Sequence, residues 1–159
     1  MKTDYGKLAA AVLVCLSAGF IGSFFTVGSI ESWYSTLQKP SFSPPNWVFA
    51  PVWTTLYIMM GISAYLVWMN GLDKKEVRVA LWFFSLQLVL NTLWSVIFFG
   101  AKEPFSAFVA IVFLWMAIAA TISLFNRVSR NAALLMVPYL AWVSFAAFLN
   151  YSVWQLNMI

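Results

Sequence analysis

The chain has 159 residues, 63% apolar and only 9% charged, where soluble domains run at roughly 25% charged. That ratio excludes an ordinary water-soluble domain. Nine Lys and Arg against five Asp and Glu leave a net charge of +4. The excess calls for no nucleic-acid partner, because its placement along the chain has a simpler cause.

Charge-free stretches run over 8–30, 40–72, 79–101, 104–126 and 131–159. Each exceeds the roughly 20 residues a helix needs to cross a bilayer core. We read five transmembrane helices over about 8–28, 46–69, 79–100, 104–126 and 132–154. The expected fold is an all-α membrane protein: one five-helix bundle, residues 1–159, with a structured loop between the first two helices. Seven of the nine Lys and Arg (Lys2, Lys7, Lys74, Lys75, Arg78, Arg127, Arg130) fall on the side of the N-terminus, and Lys39 and Lys102 on the other. The positive-inside rule then places the N-terminus in the cytoplasm and the first loop outside.

The first span is rich in small residues. Ala18/Gly22 and Gly19/Ser23 let another helix approach closely, within the monomer or across a dimer. Its basic start resembles a signal peptide, but the apolar run is too long and no A-x-A site follows, so we read a helix. The single cysteine, Cys15, lies in this span and reads as a packing residue.

Residues 33–47 carry Trp33, Tyr34, Lys39, Pro40, Pro44, Pro45 and Trp47. Backbone freed by proline finds no hydrogen-bond partner in hydrocarbon, so this segment must lie at the membrane surface. It reads as a lid: Pro44 and Pro45 stiffen the start of the second helix, and Trp33, Tyr34 and Trp47 can anchor at the interface or close on a ligand.

The second helix is expected to begin near Pro45 and to bend at Pro51. Trp53, Tyr57, Met60, Gly61 and Ala64 share one of its faces. The third aligns Gln87, Asn91, Trp94 and Phe98. The fourth carries Trp115 and few polar atoms. The fifth carries Pro138, Trp142, Ala146, Leu149 and Asn150.

The spans contain no histidine and no carboxylate. A buried metal site, histidine-ligated haem and carboxylate-based proton coupling therefore have no residues to build them. No obligatory cofactor and no catalytic residue is expected. Aromatic residues make up 19% of the chain. Trp33, Tyr34, Trp47, Trp68, Trp82 and Trp154 lie near span ends, as an interfacial belt requires. Trp53, Trp94, Trp115 and Trp142 lie a turn or more inside. Rings with a few fixed polar groups suit a flat apolar ligand. Gln87 and Asn91 can equally serve as interhelical glue.

Four blocks, in order along residues 33–154, resemble the tryptophan-rich sensory protein or translocator protein (TspO/MBR) family. They are Trp33-Tyr34-x-x-Leu37-x-Lys39-Pro40-x-x-x-Pro44-Pro45-x-Trp47-x-Phe49; Trp53-x-x-Leu56-Tyr57-x-x-Met60; Gln87-Leu88-x-Leu90-Asn91-x-x-Trp94; and Pro138-Tyr139-Leu140-Ala141-Trp142-x-x-Phe145-Ala146-x-x-Leu149-Asn150-Tyr151-x-Val153-Trp154. The resemblance implies a homodimeric five-helix receptor that binds porphyrins in a cavity under the first loop. It also implies ligand contacts at Trp53, Trp142, Asn91, Trp94 and Ala146, with Tyr57 on the same face as Trp53. The family's sterol motif is incomplete here, because Gln155 stands where a basic residue belongs, so sterol binding is not expected. The setting implied is a prokaryotic cell membrane. Three roles stay open: tetrapyrrole sensing, light-dependent porphyrin breakdown, and passive transport of flat apolar molecules.

Overall fold

The protein is described from a computed structural model covering residues 3–158. Helices α1 (Tyr5–Ser32), α2 (Phe49–Trp68), α3 (Lys75–Ser95), α4 (Pro104–Val128) and α5 (Arg130–Leu156) form the bundle. All five are long and apolar enough to cross a membrane.

The five expected spans are present, but all the helices except α2 outrun their charge-free cores. α1 begins at Tyr5 because Asp4 caps it, its Oδ1 accepting from Lys7 N at 3.1 Å. This backbone donor, with the Lys7 ammonium nearby, holds the Asp4 carboxyl below its usual range. α3 takes Glu76 and Arg78 into its first turns. Absence of charge marks what hydrocarbon must hold, whereas helical backbone can continue into water. α2 begins later than expected: Pro45 is followed by a 3-10 turn, Asn46–Val48, and only then by α helix. Pro51 sits in the first turn of α2, where its missing N–H has no helical partner to lose.

The connections are short. Ser129 alone separates α4 from α5; it ends α4 and caps α5, its Oγ accepting from Ala132 N at 3.4 Å. Between α2 and α3 the chain turns at Gly71, whose φ of 100° suits a residue without a side chain. α3 continues as a π-helical turn, Val96–Gly100, which brings Phe98 and Phe99 side by side with ring centroids 4.8 Å apart.

α1 packs on α2 and α3, α4 on α3 and α5, and α2 on α5, which closes a ring. The small residues of α1 serve packing within the chain. A Cβ built on Gly19 would collide with the Tyr57 ring, and one on Gly22 would lie 3.2 Å from Ser95 Oγ. Gly61 of α2 lets α1 approach so closely that its Cβ would sit 2.5 Å from Val12 Cα. Cys15 is fully buried in this seam.

Candidate functional site

A cavity of about 420 Å³ lies between α1, α2, α3 and α5, with α4 excluded from its wall. None of its lining residues carries a charge. Trp53 is central. Its ring stacks on Tyr57 at 5.8 Å and on Trp94 at 6.5 Å, and meets Tyr139 edge-on at 6.2 Å. Trp142 faces the void from α5, flanked by Phe49 at 6.0 Å and Phe145 at 5.5 Å. Ala146, one turn further along α5, leaves room between them.

The serine and threonine hydroxyls on the α1 and α2 walls are turned inward on their own helices. Ser23 bonds Phe20 O at 2.7 Å, Thr26 bonds Gly22 O at 3.0 Å and Thr54 bonds Ala50 O at 2.9 Å. Their carbons are left to face the void, so the wall is apolar even where the sequence is not. Trp142 Nε1–H is buried without an acceptor, the one such side-chain atom among the described residues. An orphaned donor in a cavity wall favours any ligand that brings an acceptor.

Of the residues expected to touch a ligand, Trp53, Tyr57, Trp94, Trp142 and Ala146 line the cavity. Asn91 does not line it. Its Oδ1 accepts the Tyr57 hydroxyl and its Nδ2 donates to Tyr139 Oη at 3.1 Å. The Tyr139 hydroxyl donates on to Gln87 Oε1 at 3.0 Å. The two amides thus join α2, α3 and α5 behind the cavity wall, which is the glue arrangement. Trp115 stands apart on the α4–α5 seam, donating to Ser144 Oγ at 2.8 Å.

The α1–α2 loop folds over one end of the cavity. Tyr34 lines the cavity and is 5% exposed; burial pushes its phenol pKa up, an effect partly offset by Ser43. Trp33 packs edge-on against Phe98 at 5.6 Å. Pro44 is half-buried and Pro45 exposed, ahead of the turn that leads into α2. Trp47 is 75% exposed and does not line the cavity.

Several wall and lid residues carried no sequence signal as ligand contacts: Phe49, Ser95, Phe99 and the α1 face from Leu16 to Ile30. Nor did Asn157, which pins the lid. Its Oδ1 accepts from Gln38 N at 3.0 Å, and its Nδ2 donates to Gln38 O at 2.9 Å. Phe42 reinforces that anchor by stacking on Phe148 at 5.0 Å.

Fold and site together define an integral membrane protein of five helices with an aromatic, uncharged cavity beneath the α1–α2 loop. The family model described as TspO/MBR matches residues 11–155, and the chain belongs to that family. It is 49% identical over 157 residues to the tryptophan-rich protein TspO of Chlorobaculum tepidum, covering 99% of each chain. It is 47% identical over 140 residues to the human translocator protein, covering 87% of this chain and 82% of that one. The tryptophan-rich sensory protein of Cereibacter sphaeroides is 37% identical over 160 residues.

Proposed function

We propose that this protein binds and senses a flat, apolar tetrapyrrole of the porphyrin type, held between the rings of Trp53, Trp94 and Trp142. The observation that carries the reading is the uncharged cavity of about 420 Å³, within the 300–1,000 Å³ range usual for small-molecule sites. A planar ligand gains ring-on-ring contact there, and a charged one finds no counterion in the walls. Protoporphyrin titrated into the purified protein is expected to quench tryptophan fluorescence saturably. Trp53→Phe combined with Trp142→Phe is expected to weaken binding by about tenfold or more. Unchanged affinity in that variant would remove the cavity assignment.

A second reading is light-dependent breakdown of the bound porphyrin, which the contact of Trp53 with Tyr57, Trp94 and Tyr139 favours. These rings place oxidisable groups around a photoexcited ligand. Loss of the porphyrin absorbance band under illumination, no faster with protein than in detergent alone, would exclude it.

The same proposal sets the protein in a prokaryotic cell membrane as a homodimer, with its N-terminus in the cytoplasm on the seven-to-two division of Lys and Arg. Protease protection of a terminal tag and crosslinking in native membranes test these two points.

A further inference from the structure

We propose that Lys39 makes the lid a carboxylate-binding rim, so that the preferred ligand is an amphiphile with an apolar ring system in the cavity and acidic groups at its outer end. This inference rests on the porphyrin reading and narrows it to the acidic members of that class.

The walls of the cavity are uncharged, so a ligand's charge has to leave through the rim. Lys39 stands next to that wall without being part of the lining, its Nζ 4.7 Å from the centroid of the Tyr34 ring, and Tyr34 itself lines the cavity. The lysine is half-buried and built into the lid. Gln38, immediately before it, is held by both backbone groups to Asn157. Pro40, immediately after, fixes the backbone and accepts Ser43 N at 3.0 Å, and Phe42 is stacked on α5.

Among the described residues the one ion pair is Lys7–Asp4, and no carboxylate of those residues lies within 4.0 Å of Lys39 Nζ. Among the described residues its ammonium donates one hydrogen bond, to Leu37 O at 3.5 Å. The ring beneath it and that single carbonyl leave donors of the ammonium group free for an anionic partner. Asn46, also on the wall at the lid end, adds an uncharged amide to the same rim.

Protoporphyrin IX and its dimethyl ester share one ring system and differ only in the two carboxylates, so they separate rim from cavity. Both are titrated by tryptophan quenching into wild type, Lys39→Gln and Lys39→Arg in a neutral detergent. Comparing the acid-to-ester affinity ratio between variants cancels their different partition into micelles. Lys39→Gln is expected to lower that ratio by about tenfold, the effect of one charge-assisted hydrogen bond, through the acid alone. Unchanged ester affinity reports an intact cavity, and Lys39→Arg is expected to keep the wild-type ratio. A ratio in Lys39→Gln within about twofold of wild type would overturn the assignment while leaving the porphyrin reading standing. Saturable binding of neither compound to wild type would overturn the porphyrin reading itself, and this assignment with it.

Discussion

Trp94 donates its indole N–H to Asn150 Oδ1 at 3.0 Å, and the Asn150 amide donates in turn to Pro104 O at 2.8 Å. One buried side chain thus fixes a cavity wall on α3 to α5 and to the first residue of α4. The Pro104 carbonyl lies at the start of α4, and the Trp94 ring stacks on Trp53 within the cavity wall. Positioning of the wall and stability of the bundle therefore share one hydrogen-bonded unit.

Asn150→Leu leaves the Trp94 N–H without an acceptor in a buried setting. The expected loss is about 1–2 kcal/mol, the range for interhelical hydrogen bonds and orphaned donors, read as a lower thermal midpoint in detergent. Trp94→Phe in the same background removes the orphaned donor, so the two losses should be less than additive.

Asn91→Leu breaks the link between Tyr57 and Tyr139 and leaves two phenol groups to find partners. A loss of about 1–3 kcal/mol in stability is expected. Because Asn91 lies behind the wall, porphyrin affinity should fall only as far as Tyr57 becomes free to move. Tyr57→Phe with Asn91→Leu should cost less than the sum of the single changes, since both remove the same bond.

Two glycines separate close packing from open space. Gly61→Ala sets a Cβ 2.5 Å from Val12 Cα, and backbone cannot swing aside as a side chain can. It should cost about 1–3 kcal/mol by forcing α1 away from α2. Gly28→Ala meets nothing within 4 Å and replaces a flexible residue in a helix. Stability should stay level or rise by up to about 1 kcal/mol. Parallel thermal melts of the two variants check the contrast.

Asn157→Ala removes both hydrogen bonds that hold Gln38. Amide exchange at Gln38 and its neighbours should accelerate, with protection in α2 and α5 unchanged. If the lid retains a bound ligand, the same variant should raise the dissociation rate more than the association rate, measurable by stopped-flow quenching.

Much of this protein was legible without coordinates, for reasons that lie in the solvent. Hydrocarbon rejects unpaired charge and backbone, so charge-free runs announced five helices and the prolines announced a surface loop. A helix places every third and fourth residue on one face, so Trp53 with Tyr57, and Trp142 with Ala146, could be grouped before any packing was known. The TspO/MBR motifs, read as they stand, carried the family.

What the chain could not announce depends on which face meets which. Asn91 and Trp94 lie on one face of α3, yet one turned to the network behind the wall and the other to the cavity. Their difference comes from the Tyr57 and Tyr139 hydroxyls that reach Asn91 from neighbouring helices, an arrangement no spacing along α3 encodes. Trp115 and Trp142 looked alike in sequence; the seating of α4 away from the cavity wall sent Trp115 to the seam with Ser144. Sequence alone determined that this chain spans a membrane five times beneath a proline-rich surface loop, because single-residue transfer energies suffice for that. Only the tertiary structure decided which rings enclose a cavity, which amides serve as struts, and that Asn157, 119 residues away, holds Gln38. Those are contacts between distant segments, and their energy exists only once the helices have packed.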